Sequence, residues 1–160
     1  MTLVAGSFRH KMKLSVRTII LANVLSLAHG AASPYKNVYG EPLQSCSSSG
    51  MAVTGYTRNG SCIDQYDDLG SHHICINLSS TSGGNFCSVT GQPDWCSSTK
   101  MACHDNGTTV SKEEESCAIQ NWCVCEWAFA RYMERAGGCD MIQDIVCEAI
   151  NQRVLFAYQQ

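Results

Sequence analysis

The pattern of polar and apolar residues in this chain changes at about residue 80. Before that point, short runs of β-branched and aromatic residues alternate with Gly, Asn and Ser, which is typical of strands joined by turns. Two such runs, 53–57 and 73–76, predict strands, and Asn59-Gly60 directly after the first predicts a tight turn. The Ser- and Gly-rich segment 79–84 predicts a loop.

Beyond residue 80, apolar residues recur at helical spacing. A first helix is predicted to begin at a capping box, Ser111 with Glu114, and to end at Gly137-Gly138. A second helix is predicted to begin at Asp140. The apolar positions of the two helices are Ala118, Trp122, Cys125, Phe129 and Tyr132 in the first, and Ile142, Ile145, Val146, Ala149 and Ile150 in the second.

Two shorter segments complete the pattern: 95–103, predicted as a short helix entered at Asp94, and the tail 154–158, predicted as an edge strand or a helical extension. Few strands followed by two packed helices predict an α+β fold. Short antiparallel strands of the first half are expected to pack on two helices of the second half.

The first 30 residues have the parts of a secretory signal peptide. Residues 1–17 carry four basic residues and no acid, an apolar run follows at 18–28, and Ala28-His29-Gly30 resembles a cleavage site. This apolar run is shorter than the roughly 20 residues that span a bilayer. The alternative to a cleaved signal peptide is a leader that stays attached as a membrane anchor. The sequence therefore predicts a signal peptide at 1–30 and one domain at 31–160. That domain is expected to be secreted, or to lie in the lumen of the secretory pathway or an organelle, without a stable membrane span.

Charge narrows the class of partners. Cleavage after residue 30 leaves seven basic residues against fourteen acidic ones, a net charge of −7. Nucleic-acid-binding proteins present a basic patch, so nucleic acid is not expected as a partner. Three Asn-x-Ser/Thr triplets are candidate glycosylation sites: Asn59, Asn77 and Asn106, of which Asn106 lies in the most loop-like context.

Eleven cysteines follow residue 45, a content typical of secreted disulfide scaffolds. The odd number leaves at least one cysteine outside intrachain pairing. On a helix, Cys123 and Cys125 would point to nearly opposite sides and could not bind one ion together. A Cys-x-Cys metal site requires that the helix begin after Cys125.

Several motifs resemble those of a bacterial and algal family catalogued as domain of unknown function 2237. They are Lys36–Leu43 followed by Cys46; Thr54-Gly55-Tyr56 with Arg58, Gly60 and Cys62; Asp68, Gly70, His72 and Cys75; Trp122-Cys123-Val124-Cys125 with Trp127; and Val146-Cys147-Glu148-Ala149. The chain departs from the family pattern between Asn77 and Asn121. The family has no established activity, so the resemblance implies a fold and key residues but no reaction.

The resemblance divides the cysteines. Five stand at family positions, where members without secretion signals are expected to use them for metal binding or thiol chemistry: Cys46, Cys62, Cys75, Cys123 and Cys125. Six do not, and these are predicted to form three disulfides with the pairing left open: Cys87, Cys96, Cys103, Cys117, Cys139 and Cys147.

The candidate chemistry involves the first group. With His72, those cysteines offer the donors that zinc takes, although no Cys-x-x-Cys pair is present. A thiolate activated by His72 and Arg58 is a second hypothesis, and two ordinary disulfides with one buried thiol is a third. Arg58, Asp68 and His72 are the candidate catalytic residues. We expect a disulfide-stabilised binding or structural module. The alternative is a thiol-redox or zinc-dependent enzyme that uses His72, Cys75, Cys123 and Cys125.

Overall fold

The computed structural model describes residues 33–104 and 116–158. The strands are β1 (Ile74–Asn77), β2 (Met101–Ala102), β3 (Ser116–Cys117) and β4 (Asn121–Val124). The helices are α1 (Phe86–Thr90), α2 (Glu126–Ala136) and α3 (Val154–Ala157), with 3-10 turns at Cys139–Met141 and Cys147–Ala149. This arrangement confirms the predicted α+β class, with two small antiparallel sheets.

The antiparallel pair β1 and β4 lies at the centre of the core. Its register places Ile74 opposite Val124 and Cys75 opposite Cys123. Ile74, Cys75 and Ile76 are all buried, so β1 is covered on both faces. The predicted strand at 73–76 is confirmed within one residue. β2 pairs with β3 in a separate two-stranded ladder.

Helix α2 packs its apolar face against this core through Ala128, Phe129 and Tyr132. The Tyr132 side chain is fully buried; its hydroxyl donates to the Gly84 carbonyl and accepts from the Gln143 amide. The helix ends at Gly137, as predicted, because the left-handed backbone there (φ 94°) lets its amide bond the last helical carbonyls.

The predicted start of this helix is wrong. Residues 111–115 lie outside the described residues, but residues 116–117 and 121–124 form strands. Strand pairing with β1 and burial of Val124 override the helical spacing of the apolar residues. The helix therefore begins after Cys125. A helical Cys123 and Cys125 could not bind one ion together, and this start of the helix removes that objection.

Three further segments differ from prediction. The second predicted helix, from Asp140, is replaced by two 3-10 turns. Between these turns Ile142 and Ile145 form β-bridges with Gly84 and Ile76, which keeps the backbone extended. Residues 53–57 form no strand, because the Thr54 side chain accepts from the Cys123 amide and Gly55 adopts φ 89°. No helix forms at 95–103, where β2 lies. The tail follows one of its two predicted alternatives, the short helix α3.

Four disulfides join Cys46 to Cys75, Cys62 to Cys123, Cys87 to Cys96, and Cys103 to Cys117. Cys125 and Cys147 are half-buried free thiols, and Cys139 is an exposed one. The predicted division of the cysteines into six crosslinked and five free or metal-binding ones is therefore wrong. Cys139 and Cys147 are not crosslinked, and four of the five cysteines at family positions form disulfides. Cys139 lies beside the Met133 sulfur, and Cys147 lies near the Tyr39 hydroxyl, whose pKa it raises.

The disulfides are consistent with an extracellular or otherwise oxidising compartment. Within 33–104 and 116–158, no helix has the length and apolarity needed to cross a bilayer.

Disulfide loop size predicts unequal contributions to stability. Cys62–Cys123 closes a separation of 61 residues and Cys87–Cys96 one of 9, and all four cysteines are buried. We expect replacement of the first pair by alanines to lower the free energy of unfolding by about 4 kcal/mol, and replacement of the second by about 2.5 kcal/mol. Chemical denaturation of the two double variants measures the difference. Equal losses would contradict the loop-closure explanation.

Candidate functional site

The free thiol of Cys125 lies beside the ring of His72. Cys125 is the N-cap residue of α2, directly after β4, and His72 lies two residues before β1. Because Ile74 pairs with Val124, the segment entering β1 and the segment leaving β4 meet. The Cys125 Sγ atom is 3.0 Å from His72 Nε2, although the two residues are 53 positions apart.

Asp68 holds the opposite side of the ring. Its Oδ1 atom is 2.7 Å from His72 Nδ1 and also accepts from the Gly70 amide, while its Oδ2 accepts from the His72 amide at 2.8 Å. A carboxylate only accepts hydrogen bonds, so Nδ1 carries the ring proton and Nε2 can accept one from the thiol. The three side chains form one chain of contacts from Asp68 through His72 to Cys125.

The electrostatics of Asp68 favour its ionised form. Its side chain is 1% exposed, and this burial pushes its pKa upward. The hydrogen bonds from the His72 amide and ring and from the Gly70 amide outweigh burial, so the pKa of Asp68 lies below its ordinary value. Asp68 is therefore a buried anion at neutral pH, fixed against the ring.

Cys125 is protonated at rest. Burial, and then the negative charge of Asp68, raise the pKa of the Cys125 thiol above its ordinary value, and its own backbone amide offsets this only in part. A thiol of this kind becomes a nucleophile when a base removes its proton. His72 Nε2 is the base within reach.

Gly70 leaves room for both side chains. A Cβ atom at this position would lie 2.8 Å from His72 Cε1 and 2.9 Å from Cys125 Sγ. The carbonyls of Gly70 and Ser71 accept from the Glu126 amide at 3.3 and 3.2 Å, which ties this loop to the start of α2. Ser71 is held at φ 49°, a strained conformation for a residue other than glycine.

The first turn of α2, directly after Cys125 in the chain, contains two backbone amides that are available to a ligand. The Glu126 amide bonds the loop carbonyls, and the Phe129 amide bonds the Cys125 carbonyl at 3.0 Å. The amides of Trp127 and Ala128 have no acceptor among the described residues. The positive end of the helix dipole lies here, so these amides can stabilise a developing negative charge.

Two cavities flank His72. The first, of about 130 Å³, is lined by His72, Cys125 and the aromatic residues Phe86, Trp95, Trp122 and Trp127. The second, of about 270 Å³, is lined in part by Tyr56, Arg58, His72 and Trp122. His72 and Trp122 border both cavities. The Tyr56 ring stacks on the His72 ring, with 6.0 Å between the ring centres.

The predicted site residues thus fall into two groups. Arg58, His72 and Cys125 line these cavities and Asp68 contacts the His72 ring, whereas Cys75 and Cys123 are in disulfides. Sequence reasoning missed the free amides of Trp127 and Ala128 and the steric role of Gly70. The Asp-x-Gly-x-His spacing was the available signal for Gly70.

Of the candidate zinc ligands, Cys46, Cys62 and Cys123 place their sulfur atoms within 4.8 Å of one another. In the crosslinked form these sulfurs are bonded in disulfides and are not thiolates, the form that binds metal. His72 and Cys125 offer two further donors, but a structural zinc site takes four.

Of the glycosylation candidates that the structure describes, neither Asn59 nor Asn77 lines the cavities beside His72. Asn59 is exposed and accepts from the Ser61 amide, and Asn77 is half-buried and accepts from both the amide and the hydroxyl of Ser79. Asn106 and the predicted signal peptide at 1–30 lie outside the described residues.

Comparison with known proteins places the chain in a family without a defined reaction. No curated protein matches it significantly. Residues 36–159 match the model of a family described as "Uncharacterized protein conserved in bacteria (DUF2237)". This match covers most of the chain and confirms the resemblance found in its motifs, and the protein therefore belongs to that family.

Proposed function

We propose that this protein is a cysteine-dependent acyl-transfer enzyme with Cys125 as its nucleophile. The supporting observation is the pair of contacts at 2.7 Å, Asp68 to His72 Nδ1, and 3.0 Å, His72 Nε2 to Cys125 Sγ. In this arrangement a carboxylate fixes the ring and the ring activates the thiol, as in other nucleophile–base–acid triads.

The reaction follows from the positions of the three groups. The Cys125 S–H proton moves to His72 Nε2 while Sγ forms a bond to the substrate carbonyl carbon. The C=O π electrons move to the oxygen, which accepts from the amides of Trp127 and Ala128. The intermediate then reforms its carbonyl and expels the leaving group, which takes the proton from Nε2. Water or another nucleophile cleaves the resulting thioester and restores the thiol.

Acyl transfer fits the surroundings of Cys125 better than thiol–disulfide exchange. Exchange requires a second reactive sulfur within reach, and Cys123, two residues away, is 1% exposed and bonded to Cys62. A base, by contrast, lies 3.0 Å from the Cys125 sulfur, and two amides without an acceptor in the described part of the chain follow it in α2. The expectation of a purely binding or structural module explains the crosslinked scaffold but gives no role to the contacts of His72.

The proposal includes export. A basic and then apolar leader at 1–30, with the cleavage-like residues Ala28-His29-Gly30, supports signal-peptide removal and a mature domain at 31–160. Four disulfides support an oxidising destination. Asn59, Asn77 and Asn106 are the proposed glycosylation sites, and the mature charge of −7 argues against nucleic acid as a partner.

Acylation by an activated ester tests the nucleophile. We expect p-nitrophenyl acetate to acetylate Cys125, detectable by peptide mass spectrometry. Cys125→Ser should abolish this adduct, and His72→Gln should slow its formation about 100-fold or more by removing the base. Cys139→Ser removes another free thiol and is the matched control. Ester cleavage at the wild-type rate by Cys125→Ser would contradict the proposal.

Asp68→Asn should change two reactivities in opposite directions. Loss of the carboxylate charge lowers the pKa of the Cys125 thiol, so more thiolate is present around pH 8 and iodoacetamide reacts faster. Acyl transfer should fall by about 100-fold or more, because His72 loses the partner that fixes its orientation. Circular dichroism controls for folding. A parallel fall in both rates would argue against the assigned role of Asp68.

Gly70→Ala tests the tight packing of the site. The added methyl group would meet His72 and Cys125, so the 3.0 Å contact must lengthen, and we expect about a 100-fold loss of ester reactivity. Gly50→Ala is the control. Gly50 has φ 81° and no neighbour within 4 Å of a Cβ, so this variant should lose about 1 kcal/mol of stability and keep its reactivity. Similar reactivity in the two variants would contradict the steric role.

A further inference from the structure

Arg58 carries a positive charge that the described residues do not neutralise. Two arginines in the described part of the chain lie over aromatic rings: Arg58 is 4.9 Å from the centre of the Trp122 ring, and Arg153 is 5.6 Å from that of Phe156. Arg153 also pairs with a carboxylate, with its Nε atom 3.2 Å from Asp64 Oδ2. Within 33–104 and 116–158, Arg58 has no such carboxylate within ion-pair distance.

The backbone at Arg58 is strained, and its turn holds the side chain over the Trp122 ring. Arg58 adopts φ 54°, a conformation that costs energy for any residue with a Cβ. The turn is closed by hydrogen bonds from the Arg58 amide to the Gly55 carbonyl and from the Gly60 amide to the Thr54 carbonyl. Thr54 in turn accepts from the Cys123 amide, so the loop is attached to β4 two residues before Cys125.

The cavity beside Arg58 adjoins the proposed reaction centre. Arg58 and Tyr56 line one part of it, and it shares His72, Trp122 and Cys123 with the smaller cavity of Cys125. Volumes of about 270 and 130 Å³ are large enough for a small molecule, since about 15 Å³ of such space holds one water. A substrate with its carbonyl at Cys125 would extend past His72 and Trp122 toward the guanidinium.

We propose that Arg58 is a specificity-determining residue that binds a carboxylate of the acyl substrate, so that the enzyme acts on small anionic carbonyl compounds. This inference rests on the proposed function of Cys125. A guanidinium binds a carboxylate through two parallel hydrogen bonds, and its contact with the Trp122 ring holds it beside the cavity.

Negative charges near the cavity affect which anion Arg58 can bind. The negative charge of Asp67, with burial and Asp68 adding to it, raises the pKa of Tyr56, so the field of these acids reaches the cavity. Such a field opposes a dianion more than a monoanion. A carboxylate is therefore expected in preference to a phosphate.

A matched pair of thiol reagents tests the proposal: 3-maleimidopropionic acid, which is anionic, and its neutral amide. The ratio of the two rates is measured at Cys125 and, in the same molecule, at the exposed thiol of Cys139. We expect the acid-to-amide ratio at Cys125 to exceed that at Cys139 by about tenfold, the effect of one charge-assisted interaction.

Variants assign the effect. Arg58→Gln should reduce the Cys125 ratio to the Cys139 value, whereas Arg153→Gln should leave the ratio unchanged. Arg58→Lys, which keeps the charge but loses the paired donors, should give an intermediate ratio and provides a second test if the glutamine variant does not fold. Equal ratios at Cys125 and Cys139 in the wild type would overturn the carboxylate site alone. Failure of the acyl-enzyme to form at Cys125 would overturn the reaction itself.

Discussion

The antiparallel pairing of β1 with β4 is the constraint on which the site depends. It brings the two histidines before β1 beside the two residues after β4. His72 lies 3.0 Å from the sulfur of Cys125, and His73 lies 2.7 Å from the carboxylate of Glu126. A slip of one residue would turn each side chain to the other face and bring His73 toward the thiol. Disulfides at Cys75 and Cys123, which are opposite each other in the ladder, hold this register.

The two adjacent histidines have different tasks because they point to opposite sides of an extended segment. His73 is 3% exposed and lies between Glu126, at 2.7 Å, and Asp64, at 3.3 Å. Tyr158, in the tail after α3, donates to the Glu126 carbonyl, and burial and the nearby Glu126 charge raise the pKa of Tyr158 to about 12. These contacts fasten the start of α2 and so position Cys125, while His72, 30% exposed, borders the cavities.

Sequence patterns predicted those elements whose position depends only on neighbouring residues. The strand at β1 and the end of α2 at Gly137 follow from residues close together in the chain. The start of α2 was misplaced because the apolar spacing of Trp122 and Cys125 suits a helix, whereas pairing with a distant strand makes 121–124 extended. The family motifs name Arg58, Asp68 and His72 as candidates, but the contact of His72 with Cys125 joins residues 53 positions apart and depends on strand register. No spacing rule contains that information.

The chemistry proposed for Cys125 and the compartment proposed for the protein constrain each other. In an oxidising environment, thiolates are the species that are oxidised or exchanged into disulfides. A free cysteine among eight crosslinked ones would be consumed if it rested as a thiolate. Burial and the charge of Asp68 keep Cys125 protonated, and His72 removes the proton when a carbonyl is in place. The same carboxylate that orients the base therefore protects the nucleophile between reactions.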